Sequence, residues 1–254
     1  MRRAEFFEQL EHNKVRCTLC PHYCILSENQ TGLCLGKKNI GGELIAVNYE
    51  KVLTIADDPI EKKPLYHFHP GTMIISTAQY GCNLRCPFCQ NYDISQRYEE
   101  TASLPIEGLY NILKSKNRKS IAFTYTEPLM WYEYILDFGK KYSKEIEIVL
   151  VTNATLNEEP LKMIIPYIKA VNVDLKSFSK DFYKRELKGD LEIVKNAIRL
   201  FHSESVHLEI TNLLIPGKND NPYEFREMTD FIASVSDDIP LHISRYFPNF
   251  KYSL

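Results

Sequence analysis

Apolar and polar positions follow two different periods along this chain. Runs rich in β-branched and aliphatic residues occur at 72–79, 120–125, 146–152, 169–175, 206–214 and 241–246. Between them, apolar residues recur at the spacing of an amphipathic helix, at 105–116, 128–143, 157–168, 190–203 and 221–235, with a short additional helix at 179–186. Pro105 and Pro160 fall at or near first-turn positions, with Ser103 and Asn157 as caps upstream. Six strands with helices between them predict parallel strands joined by right-handed crossovers. The expected fold is α/β, a partial (β/α)6 barrel, because a complete eight-stranded barrel would need two more units.

Residues 1–70 have a different pattern. A short charged helix is expected at about 4–13, then a cysteine-rich loop at 17–36. Gly41-Gly42 marks a turn, followed by the strand-like runs Glu43–Tyr49 and Lys51–Ala56 of a hairpin, and a loop with three prolines closes the region at Asp57–Pro70. The chain therefore divides into an N-terminal cysteine-rich appendage, 1–70, and a barrel core, 71–254. The core stops a few residues after its sixth strand with no closing helix, so a C-terminus that is truncated, disordered or proteolysed is expected.

Composition narrows the function classes. The 254 residues are 44% hydrophobic and 25% charged, with a net charge of −2, which gives no electrostatic reason to expect nucleic acid or an anionic membrane as partner. No apolar run approaches the ~20 residues needed to span a bilayer. Met-Arg-Arg is followed by Glu5, Glu8 and Glu11 rather than the apolar stretch of a secretory signal. A cytoplasmic location is expected, where thiols stay reduced. The seven cysteines then read as metal or cluster ligands, not as a disulfide framework.

Cys82, Cys86 and Cys89 follow the first barrel strand with the spacing CxxxCxxC. Each of the four irons of a cubane takes an external ligand, usually a thiolate. Three cysteines on one loop leave one iron open, which is what distinguishes a catalytic metal site from a closed structural one. A zinc knuckle, or a cluster closed by a fourth cysteine for electron transfer or redox sensing, is compatible with the triplet alone.

The motif resembles the radical S-adenosylmethionine (SAM) signature, with aromatic Phe88 just before the last cysteine. Gly-Cys82-Asn-Leu-Arg-Cys86-Pro-Phe-Cys89-Gln-Asn is similar to the branch related to pyruvate formate-lyase activating enzymes. Cys17-Thr-Leu-Cys20-Pro-His-Tyr-Cys24, Asp58-Pro-Ile-Glu-Lys-Lys-Pro-Leu65, Thr124-Tyr-Thr-Glu-Pro128 and His242-Ile-Ser-Arg-Tyr-Phe-Pro248 extend the likeness to the AmmeMemoRadiSam-system group, over nearly the whole chain. Members of that group usually run further at the C-terminus. The resemblance implies a 4Fe-4S cluster on Cys82, Cys86 and Cys89 that binds SAM through its amino and carboxylate groups. It also implies reductive cleavage to a 5′-deoxyadenosyl radical, and a reductant such as ferredoxin or flavodoxin. A protein substrate, or Memo-like and AMMECR1-like partners, would follow.

Chemistry in parallel α/β folds collects at the C-terminal ends of strands, so the resemblance places SAM contacts there. Phe88 would flank the adenine. Thr126 and Glu127 stand where the family holds the SAM ammonium, and Thr152 and Asn153 suit the ribose or carboxylate. Asp174 and Lys176 share one strand face. Asn212, His242 and Arg245 complete the candidates, with Arg245 suited to a carboxylate or a substrate anion. Each has an ordinary structural counterpart: a cap, a salt bridge or a packed core residue. Lys62 and Lys63 read as a solvated face.

Cys17, Cys20, Cys24 and Cys34 supply four more thiolates, enough for structural zinc or for a second iron–sulfur cluster. The leading expectation is a radical SAM enzyme that abstracts hydrogen from its substrate, with a glycyl-radical-enzyme activase as the main variant. A non-catalytic iron–sulfur protein and a zinc-stabilised binding module are the alternatives from other classes.

Overall fold

The computed structural model describes residues 1–252. Its centre is a sheet of β1 (Thr54–Pro59), β2 (Met73–Ala78), β3 (Ser120–Phe123), β4 (Glu147–Thr152), β5 (Ile168–Asp174), β6 (His207–Leu214) and β7 (Leu241–Arg245). The strands lie side by side in chain order. β2 to β7 are parallel, and β1 runs antiparallel to β2. The helices α1 (Ile106–Ser115), α2 (Tyr132–Tyr142), α3 (Glu158–Ile164), α4 (Leu191–Ser203) and α5 (Pro222–Val235) return the chain between parallel strands. This is the expected partial barrel, and each expected strand and long helix is present. No helix among the described residues is long and apolar enough to cross a membrane.

Four expectations change. The first is β1, which was assigned to the appendage hairpin but ladders along β2 from Thr54↔Ala78 to Pro59↔Met73. The free edge of β2 needs a partner for its backbone groups, and the neighbouring extended segment supplies one. The expected boundary at 70 therefore falls inside the core, and the Gly41-Gly42 turn instead joins Lys37–Ile40 to Glu43–Ala46. Both glycines have positive φ, +65° and +78°, which is what such a turn requires.

Second, the charged helix at 4–13 is absent. Arg2–Arg3 pairs with Ile45 and Ala46, and Phe7–Gln9 pairs with Val15–Cys17. Ala4 and Phe6 are buried while Glu5 is exposed, so the effective period here is two. Third, Ser103 caps nothing; it pairs with Lys51, and Pro105 takes the N-cap position of α1. Asn157 does precede α3, but its side chain donates to Thr18 O (2.7 Å) rather than capping.

Fourth, Lys63 is not solvated. It is 1% exposed, with Nζ donating to Asp58 Oδ2 (2.9 Å) and lying 4.4 Å from the centre of the Tyr125 ring. The loop from Ile60 to Gly71 plugs the barrel interior, with Ile60, Leu65 and Phe68 buried. Asn172 donates to Pro64 O (2.8 Å), and the amides of Tyr66 and His67 donate to Glu209 (3.0 and 2.9 Å).

Glu209 is fully buried and also meets His207 Nε2 (2.9 Å) and His242 Nε2 (2.6 Å). Burial opposes its charge, but His207, the two amides and His242 outweigh that and hold its carboxyl at about 2. A carboxyl depressed in the folded state stabilises the fold above its unfolded value and loses that contribution as pH falls. Glu209→Gln should therefore lower stability by about 2–3 kcal/mol at pH 7. The deficit should shrink between about pH 4.5 and 2, as measured by urea unfolding across that range.

Candidate functional site

The loop leaving β2 carries the cysteine triplet to the C-terminal end of the sheet. It turns at Gly81, whose φ is +94°; a Cβ there would lie 2.1 Å from Cys34 O. A short helical turn, Tyr92–Ser95, closes the loop, with Gly81 N donating to Ile94 O (2.9 Å). Arg85 stiffens it from within by donating to Cys82 O and Leu84 O (both 2.8 Å) and to Leu33 O.

The three thiols are held separately. Cys82 Sγ accepts from Leu84 N (3.3 Å) and Asn153 Nδ2 (3.6 Å), and Cys89 Sγ lies 3.3 Å from Ser95 Oγ. Burial pushes the Cys86 thiol up to about 11, although Lys176 nearby pulls it down. Burial and the Glu127 carboxylate push Cys82 well above the ordinary thiol value. An uncompensated thiolate is thus unfavourable here, and a metal-bound one would be favoured.

All three cysteines line one cavity of about 310 Å³. Its other walls are the strand ends: Thr126 and Glu127 after β3, Asn153 after β4, Asp174 and Lys176 at β5, Thr211 and Leu213 on β6, and Ser244 and Arg245 on β7. Phe88 lines it too, 6.2 Å from the Phe182 ring and 5.8 Å from that of Tyr252.

Glu127 is 2% exposed, and its carboxylate ties two strand ends together. Oε1 accepts from Leu129 N (3.0 Å) and Thr152 Oγ1 (2.6 Å), and Oε2 accepts from Asn153 N (2.8 Å). Burial outweighs these donors and pushes its carboxyl up to about 7. One oxygen, Oε2, retains an unused lone-pair direction. Asp174 and Lys176 meet at 3.1 Å. Burial weakens the hold of Lys176 on its proton, but Asp174 and Cys86 beside it more than offset that and raise it. Arg245 is exposed at the rim, its guanidinium 5.6 Å from the Phe247 ring centre.

Three of the candidates stand outside this cavity. Thr152 is buried beneath Glu127. Asn212 points to the other side of β6, where Nδ2 donates to Leu175 O (2.8 Å). His242 turns away to Glu209. On β6 the polar lining residue is Thr211, next to Asn212, and its buried hydroxyl has no hydrogen-bond partner among the described residues. Asn83, which accepts from Asn153 Nδ2 (3.0 Å) and donates to Thr155 O (2.7 Å), was not foreseen. It sits inside the Gly-Cys-Asn motif, so its position was a usable signal.

Residues 76–232 match the Radical SAM superfamily. An uncharacterized protein of Methanocaldococcus jannaschii, MJ0808, is 40% identical over 99% of this chain and 76% of its own length. A putative glycyl-radical enzyme activating enzyme of the same organism, MJ1227, is 25% identical over 68% of this chain and 72% of its own. The structure of Streptococcus suis SuiB bound to S-adenosylmethionine superposes with a TM-score of 0.55 at 16% identity, covering 70% of this chain and 43% of SuiB. A matched segment that starts within β2, holds the cysteine loop and ends within α5 spans most of the barrel, and with it the chain belongs to the radical SAM superfamily.

Proposed function

We propose that this chain reductively cleaves S-adenosylmethionine at a 4Fe-4S cluster held by Cys82, Cys86 and Cys89, and uses the resulting radical to abstract hydrogen from its substrate. One observation carries this reading. Three thiols and no further cysteine line the cavity among the described residues, opposite a wall of polar strand ends. The residues fit the cofactors. Three ligands on one loop leave one iron without a protein thiolate, and the unpaired Thr211 hydroxyl offers a ready hydrogen bond to a guest. The four N-terminal cysteines line a separate cavity, which argues against a closed cluster.

A reduced 4Fe-4S cluster held by Cys82, Cys86 and Cys89 would supply the one electron needed to split SAM into methionine and a 5′-deoxyadenosyl radical. The chain's own residues bind, orient and exclude water. Asn153 orients the Cys82 thiolate and faces the cavity. The spare acceptor of Glu127 suits the SAM ammonium, and Lys176 or Arg245 suits its carboxylate. Phe88 offers a flat wall for the adenine. A one-electron donor of ferredoxin or flavodoxin type supplies the electron.

The likeness to a putative glycyl-radical enzyme activating enzyme supports a protein substrate. The motifs shared with the AmmeMemoRadiSam-system group support work alongside Memo-like and AMMECR1-like proteins. The binding test is spectroscopic. Adding SAM to the reduced, reconstituted protein should shift the electron paramagnetic resonance spectrum of the cluster, as expected if SAM binds the iron that has no protein thiolate. An unchanged spectrum with bound SAM would favour a closed electron-transfer or sensing cluster.

A further inference from the structure

The remaining four cysteines meet at a second site. Cys17, Cys20, Cys24 and Cys34 line one cavity of about 10 Å³, together with Lys37 and Met130. That is room for about one water-sized guest. All four thiols are free, and three are buried.

Local geometry presents them in two facing turns. Cys17 N donates to Cys24 O (2.9 Å) and Tyr23 N to Cys20 O (3.2 Å), which closes the first turn. Leu35 N donates to Gly32 O and Gly32 N to Lys37 O (2.9 and 2.8 Å), which closes the second around Cys34.

We propose that Cys17, Cys20, Cys24 and Cys34 hold one structural zinc ion. Four thiolates satisfy its preferred tetrahedral coordination, and binding releases the thiol protons to solvent. Among the described residues no three of these side chains converge on a common point, so binding zinc would require them to move inward. Wider spacing is also what a cubane needs, but the cavity has no room for one.

The site buttresses the cluster-binding loop. Cys34 O abuts Gly81, His22 Nε2 lies 2.7 Å from Asn83 O, and Leu33 O accepts from Arg85. Zinc here holds the wall behind Cys82 in place.

The test uses the full chain with Cys82, Cys86 and Cys89 all replaced by alanine, so that it does not depend on SAM chemistry. Elemental analysis of the purified variant should find about one zinc per chain and no iron. A mercurial reagent should release that zinc, and the melting temperature should then fall by several degrees. In the otherwise wild-type chain, Cys20→Ser should lose the zinc; if that variant does not fold, the triplet variant decides alone. Four reactive thiols without zinc would overturn the proposal. So would iron with absorption near 400 nm in the triplet variant, which would mark a second iron–sulfur cluster.

Discussion

Gly81→Ala should destabilise the protein by about 3–5 kcal/mol, because two penalties coincide. A residue with a side chain is strained at φ +94°, and the new Cβ would lie 2.1 Å from a backbone oxygen, Cys34 O, which cannot swing aside as a side chain would. For a chain of this size the melting temperature should drop by about 10 °C. Gly71→Ala separates the two penalties. Its φ is +78° but nothing lies within 4 Å of the added carbon, so it should cost only about 1 kcal/mol. Equal melting temperatures for the two variants would mean that the appendage does not press on the cysteine loop as described.

Cys86→Ala should reduce SAM cleavage by at least about a hundredfold, beyond what loss of a metal's outer-shell partners costs. One iron then loses its ligand, while the thiol's neighbours stay in place, so the far-ultraviolet circular dichroism should be unchanged. Asn153→Ala provides the graded comparison. It removes a donor 3.6 Å from Cys82 Sγ and leaves all three ligands, so the loss should be about 10- to 100-fold. Activity retained in Cys86→Ala would show that the triplet does not hold the reacting cluster.

The parallel core was legible because each strand and helix has a long, strongly periodic pattern. The short N-terminal segment was not. Its charges at Glu5 and Glu8 mimic a helix surface, and only the pairing of Phe7–Gln9 with Val15–Cys17 shows that the segment is extended. At the site, the cysteine loop and the ends of β3, β4 and β5 were readable from local motifs. Asn212 was misplaced for a sharper reason. Neighbouring strand residues face opposite sides, so a choice one position off exchanges Asn212 for Thr211. Lys63 lay beyond local reading altogether. Its burial depends on Asp58 and Tyr125, the latter far along the chain.

The most direct measurement is SAM cleavage by the wild-type chain. The protein is reconstituted anaerobically with iron and sulfide, reduced with dithionite, given SAM and assayed for 5′-deoxyadenosine. Product should form together with methionine and vanish in Cys86→Ala. A wild-type protein shown to hold a full cluster and to bind SAM, yet yielding no 5′-deoxyadenosine, would contradict the proposed chemistry.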